Sequence, residues 1–154
     1  MTTKEDLLEI ARKTILSESK SIAKLVDFLT DDFTKAVEII YNSSGRLVLT
    51  GIGKSAIIAQ KIVASMNSTG TPALFLHASE AIHGDLGMVQ PGDVVICISK
   101  SGNSPEIKVI VPILKRFGNP LIAITGNITS FLAKESDFVL DTTVDAEACP
   151  NNLA

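Results

Sequence analysis

From Arg46 onward the chain alternates short apolar runs with stretches of helical periodicity. The runs are RLVLT (46–50), ALFLH (73–77), DVVICIS (93–99), PLIAIT (120–125) and DFVLDT (137–142). They are rich in Val, Ile and Leu and apolar on both faces. That is the character of strands in a parallel sheet covered on each side, not of antiparallel strands with one wet face. Between them the spacing predicts helices over 54–67 and 104–117, and a short one over 130–134. Parallel neighbours need a crossover, usually a helix. The alternation therefore predicts a three-layer α/β domain whose parallel sheet has five strands in the flavodoxin-like order 2-1-3-4-5.

The first 45 residues carry a different pattern and are expected to form N-terminal helices ahead of a core over 46–154, the whole chain being one domain. Thr3-Lys4-Glu5-Asp6 resembles a capping box. Leu7, Leu8, Ala11, Ile15, Ile22, Leu25, Val26 and Leu29 then follow at helical spacing. A helix that long is expected to pack part of its apolar stripe on another subunit, so a homo-oligomer is anticipated. A second helix is predicted after Asp31, with Phe33, Ala36, Val37 and Ile40 on one face and Gly45 as its stop.

Composition removes several classes of function. A net charge of −3 and a pI near 5.3 argue against a nucleic-acid-binding protein, which carries a basic patch. No apolar run reaches the roughly 18 residues of a membrane span, and no signal-peptide pattern opens the chain. No membrane partner is expected, and a cytoplasmic location is. The two cysteines, Cys97 and Cys149, make no disulfide framework, and Cys97 reads as a buried thiol within its strand. His77 and His83 fall on a predicted loop without Cys or carboxylate at zinc-type spacing, so no metal is expected.

Two turns carry the chemistry. In VLTGIGKSA (48–56) a strand ends in a glycine-rich turn and Lys54-Ser55 opens a helix. A Walker A loop would place its first glycine at Val48, inside the strand, so the turn is too short to wrap a triphosphate. Gly51-Ile52-Gly53-Lys54-Ser55-Ala56 matches the dinucleotide fingerprint locally, but the acid required at the end of the next strand is missing from TGTPALFLH. A plain tight turn with a solvated lysine fits the residues as well. In ICISKSGNSPEI (96–107) Ser99, Ser101 and Ser104 surround Gly102 and Asn103, and Pro105 begins a helix. Three hydroxyls, close backbone approach at the glycine and a helix N-terminus suit one phosphate. Ser104 also reads as the N-cap of that helix. In the order 2-1-3-4-5 both turns open on the crevice between the first and third strands, and a small phosphorylated molecule suits it.

GIGKS (51–55), STGTP (68–72), EAIHGDLGM (80–88), DVVICISKSGNSPEI (93–107), ITG (124–126) and EACP (147–150) together resemble the sugar isomerase (SIS) domain, and more closely the arabinose-5-phosphate isomerases. HGDLGM followed by EACP is the most specific part. The resemblance implies a flavodoxin-like SIS fold and interconversion of D-arabinose 5-phosphate and D-ribulose 5-phosphate through an enediolate, without an organic cofactor. It also implies tetramers with sites at subunit contacts, and a place on the route to the eight-carbon acid sugar of lipopolysaccharide or capsule. Matched position by position, it assigns phosphate binding to Ser55, Ser99, Ser101, Gly102, Asn103 and Ser104. It makes Lys54, His83, Glu106 and Glu147 the catalytic candidates. Isomerisation needs a base beside C1 and C2 and a cation or donor where the enediolate charge develops. Glu147 is the leading proton carrier and Glu106 its rival; Lys54 would stabilise the charge, and His83 would assist ring opening or polarise a hydroxyl.

Members of the family continue beyond EACP with a Ser/Thr-rich stretch, a long helix and a further histidine, and many add paired CBS domains. The sequence here ends at EACPNNLA. The expectation is a SIS domain truncated at its C-terminal end, in which phosphosugar binding and turnover are separable. The competing reading is a non-catalytic sugar-phosphate sensor. It would keep the serine loop and could dispense with the acids, which are present.

Overall fold

The computed structural model describes residues 4–149. Five parallel strands stand in the order β2-β1-β3-β4-β5, as the alternation predicts. They are β1 (Leu47–Gly51), β2 (Ala73–His77), β3 (Val94–Ile98), β4 (Leu121–Thr125) and β5 (Phe138–Asp141). All residues of β1 and β3 are buried, because both strands lie inside the sheet with a helical layer over each face.

Period-two alternation sorts the apolar side chains into two cores. One face carries Val48, Val95, Cys97, Leu121 and Ala123 against α4 (Ala78–Ile82), α5 (Pro105–Phe117) and α6 (Phe131–Glu135). The other carries Leu47, Leu49, Val94, Ile96 and Ile122 against α2 (Asp31–Tyr41) and α3 (Lys54–Ser68). Burial pushes the Cys97 thiol up to about 12, so this cysteine is packing and no nucleophile at neutral pH.

The N-terminal region is helical, with α1 (Lys4–Lys24) followed by a 3-10 turn over Leu25–Phe28. No residue of α1 is buried; Ile15 is 64 % exposed and Leu16 and Ile22 69 %. Thr3 of the expected capping box lies outside the described residues. Thr30 caps α2 by accepting from Asp32 N–H. On the predicted face of α2, Ala36 is buried, but Phe33 and Val37 stay about half exposed, at 46 % and 50 %.

Two expectations are corrected here. Gly45 does not stop α2, which ends at Tyr41 with Asn42 as its C-cap. The glycine is needed for a close approach instead: a Cβ on Gly45 would lie 2.4 Å from the Gly92 carbonyl carbon. The histidines do not lie on a loop either. His77 ends β2 and caps α4, its Nδ1 accepting from Ser79 N–H at 3.3 Å, and His83 is the C-cap of α4.

At the amino ends of the strands a polar knot closes the sheet. Asp93 is 1 % exposed. It accepts from Arg46 N–H at 2.7 Å, from Gln90 N–H at 2.9 Å and from the Arg46 guanidinium at 2.9 Å. Burial would raise its proton affinity, but the Arg46 side-chain bond, the two backbone bonds and the Arg46 charge together outweigh it and hold the carboxyl below its ordinary value. Asn119 donates to the carbonyls of Gln90 and Asp93, so the start of β4 is tied into the same knot.

Candidate functional site at the carboxyl ends of β1 and β3

In the sheet register Gly51, the last residue of β1, lies beside Ile98, the last of β3, and beside His77, the last of β2. A Cβ on Gly51 would come within 3.1 Å of the Ile98 carbonyl oxygen and within 3.1 Å of the Ser55 carbonyl carbon. The glycine therefore lets the end of β1, the end of β3 and the first turn of α3 meet. Gly53 adopts φ +58° at the N-cap of α3, a conformation that favours glycine. Lys54 and Ser55 thus emerge next to the loop after β3, and the two turns share one crevice.

The loop after β3 is held from both sides. The Ser99 hydroxyl accepts from Gly102 N–H at 3.1 Å and the Ser101 hydroxyl from Asn103 N–H at 3.3 Å. Those two backbone donors, candidates for a ligand in the sequence, are engaged by the loop's own serines. Each serine hydroxyl that accepts keeps its own proton to donate. Gly102 has φ +62°, and a Cβ there would fall 2.1 Å from Ser130 Oγ. Its carbonyl accepts from Leu132 N–H, and Asn103 Oδ1 accepts from Phe131 N–H. The serine loop is thereby clamped onto the start of α6.

Ser104 differs from its N-cap reading. It stands at the N-cap position of α5, but its side chain makes no capping hydrogen bond. Its Oγ and Thr50 Oγ1 are the buried side-chain polar atoms without a partner among the described residues. Thr50 is fully buried, one residue before Gly51 and in register with Cys97, beneath the crevice. A buried, unpartnered hydroxyl costs roughly 1–3 kcal/mol, and each one calls for an explanation. At Ser104 it coincides with a helix N-terminus whose first N–H groups have no intrahelical acceptor. Protonated donors, an uncapped 13-residue helix and its dipole converge on one spot, an environment that stabilises an anion.

The SIS domain family matches residues 39–154. The chain belongs to that family. Among relatives of this SIS domain, the arabinose 5-phosphate isomerase KdsD of Pseudomonas aeruginosa is 44% identical over 154 residues, covering 100% of this chain and 47% of the relative. The arabinose 5-phosphate isomerase GutQ of Escherichia coli K12 is 45% identical over 150 residues, covering 97% of this chain and 47% of the relative. The chain thus spans less than half the length of either. A protein of Escherichia coli CFT073, solved in complex with arabinose 5-phosphate, superposes with a TM-score of 0.92 at 39% identity over 99% of this chain and 81% of its own.

Within this SIS domain the candidates for proton chemistry fall on four different elements. Lys54 is the first residue of α3 and exposed; Glu106 is in the first turn of α5 and half-buried; His83 is exposed at the end of α4. Lys54, His83 and Glu106 form no ion pair with one another. Glu147 lies on the segment after β5, its side chain only 20 % exposed, and pairs with the ammonium of Lys100. It also borders a groove of about 310 Å³ between that segment and α1, with Glu18, Ser21 and Ile22 on the facing wall. A larger cavity of about 450 Å³, lined by Val37, Tyr41, Arg46, Leu47, Met66 and Pro72 among others, lies at the amino ends of the strands. It is mostly apolar and holds none of the candidates.

Lys100 is the partner of Glu147 that sequence reading missed. Standing between Ser99 and Ser101, it looks like a solvated loop lysine. Its partner is 47 positions downstream and comes near only because β4 and β5 line up beside β3.

Proposed function

We propose that the chain is a phosphosugar isomerase interconverting D-arabinose 5-phosphate and D-ribulose 5-phosphate. The observation that carries the phosphate half of this reading is the Ser104 hydroxyl, buried without a partner at the uncapped start of α5. The identity of the sugar is supported by relatives named arabinose 5-phosphate isomerase and by a close structural neighbour solved with arabinose 5-phosphate.

The phosphoryl group binds at Ser99, Ser101 and Ser104, with Ser55 on the opposite turn, and this fixes the register of the open-chain sugar along the crevice. Glu147 takes the C2 proton of the aldose. The C–H electron pair forms the C1–C2 double bond, and the carbonyl electrons pass to O1, which takes up a proton. The ammonium of Lys54 stabilises the developing enediolate. O2 then loses its proton, the C2 carbonyl forms, and Glu147 returns its proton to C1. The sequence is redox-neutral and balances within the substrate. Glu106 is the rival proton carrier, and His83 assists ring opening. We read the protein as a cytoplasmic homo-oligomer supplying a precursor of lipopolysaccharide or capsule.

The deciding experiment mixes the purified chain with arabinose 5-phosphate and follows both ribulose 5-phosphate and the thermal shift. Turnover with a positive shift is expected. A shift without turnover favours a sugar-phosphate sensor, and no shift sinks the crevice as a binding site. Ser104→Ala is expected to weaken binding about tenfold, the loss of one charge-assisted hydrogen bond. For the base, Glu147→Gln and Glu106→Gln are compared by exchange of the C2 proton with solvent. Exchange at the parent rate removes the substituted residue from that role.

A further inference from the structure

We propose that Lys100 is a positioning residue that sets the placement and proton affinity of Glu147; this rests on the reading of Glu147 as proton carrier. A lysine flanked by two phosphate-loop serines would ordinarily be assigned to the phosphate. Its contacts point elsewhere.

The Lys100 backbone is fixed: its carbonyl accepts from Gly126 N–H at 3.0 Å and from Thr125 Oγ1 at 3.3 Å. The side chain leaves this anchored point and places its charge on Glu147. Glu147 in turn lies on a stretch without helix or strand after β5. Several contacts hold that stretch to the rest of the molecule. Thr142 N–H donates to the Thr125 carbonyl, the Thr143 hydroxyl donates to the Gly126 carbonyl, Lys24 pairs with Asp145 at 2.5 Å, and Lys100 pairs with Glu147. Of these, the last one orients the Glu147 carboxylate itself. It also sets the distance between that carboxylate and the serine loop, since Lys100 belongs to the loop's own backbone.

The charges facing Glu147 make the lysine decisive. From α1, Glu18 borders the same groove, and Lys24 is committed to Asp145. On its own segment Asp145 is a further carboxylate. Lys100 is the cation that faces Glu147 from the serine loop. Its charge lies against the carboxylate, and a neighbouring cation favours the ionised form of a carboxyl group.

The test is a titration and a double-mutant cycle on the 154-residue chain. Lys100 is 64 % exposed at its side chain, so Lys100→Met is expected to fold. Carbon-13 NMR of the Glu147 carboxyl is followed through a pH titration in the parent, Lys100→Met and Lys100→Arg. In Lys100→Met the Glu147 midpoint should rise by about one pH unit, and Lys100→Arg should restore it. An unmoved midpoint overturns the proposal. In the isomerase assay Lys100→Met should lower kcat about tenfold, leave KM nearly unchanged and shift the acid limb of the pH profile upward. It should add nothing to Glu147→Gln. If Lys100→Met instead weakens inorganic phosphate binding equally in the parent and in Glu147→Gln, Lys100 is a phosphate ligand and the proposal falls. If Glu147→Gln keeps parent C2-proton exchange, the role of Glu147 fails, and the NMR midpoint still decides whether Lys100 governs that carboxyl.

Discussion

Thr50 and Ser104 carry the same defect, a buried hydroxyl without an acceptor or donor among the described residues, and the two differ in what surrounds them. Ser104 stands at an uncapped helix terminus. Thr50 lies one residue inside β1, with its neighbours Val48 and Cys97 belonging to the core. Replacing the unpartnered hydroxyl by a methyl of the same shape removes a desolvation cost and leaves the packing intact. Thr50→Val is therefore expected to raise the stability of the ligand-free protein by about 1 kcal/mol, read as a higher urea midpoint with an unchanged slope. A lower midpoint would mean that the hydroxyl has a partner after all. Ser104→Ala also removes an unpartnered hydroxyl and should cost the ligand-free protein nothing, but it should reduce the shift given by arabinose 5-phosphate. The pair of variants separates a hydroxyl that serves a ligand from one that serves nothing visible in the free chain.

Among the elements, the strands were legible because both faces of each are covered, which forces runs of Val, Ile and Leu that stand out against amphipathic helices. Each strand agrees with its sequence run to within a residue or so. The stretch EAIHGDLGM was opaque. Gly84 and Gly87 break its periodicity, and the one-turn helix α4 and the 3-10 turn over Asp85–Met88 exist through tertiary packing of Ala78, Ala81 and Leu86. The same limit hid Lys100, whose role depends on an alignment of strands and not on local pattern. The knot at the start of β1 and β3 was also invisible, since Arg46 and Asp93 are 47 positions apart. It makes a prediction of its own. Removing the Asp93 carboxylate leaves two backbone N–H groups without their acceptor and the Arg46 guanidinium with the Met88 carbonyl in place of an ion pair. Asp93→Ala should cost about 3 kcal/mol at neutral pH. The folded Asp93 binds its proton more weakly than the unfolded chain does. Its contribution is therefore complete above the ordinary value of 3.8 and lost as pH falls through the lower folded value. Urea unfolding of parent and variant should show the gap narrowing across that acid window; a gap independent of pH would contradict this account.

Taken whole, the molecule leaves many large apolar side chains exposed. α1 buries nothing, and Ile15, Leu16, Ile22, Val26, Tyr41, Ile57 and Ile58 are each more than half exposed. Of these, Ile15, Leu16 and Ile22 lie on the 21-residue helix α1, which gains little burial from its own chain. Burying one such Leu or Ile contributes roughly 1.5–3 kcal/mol. Sedimentation equilibrium at micromolar concentration is expected to give a multiple of the 16.3 kDa chain mass, and Leu16→Glu with Ile22→Glu should reduce it to a single chain. A parent that sediments as one chain would remove assembly from the reading.

The five strands all run the same way, so the two rims of the sheet have different occupations. At one rim the Arg46–Asp93–Asn119 knot and the Gly45–Gly92 contact weld the strands together. At the other, the loops after β1, β3, β4 and β5 carry the exposed polar groups. A chassis fastened at one end can accept new fittings at the other. Libraries confined to 52–55, 100–101 and 142–148 should therefore retune which phosphorylated metabolite is held while most variants still fold.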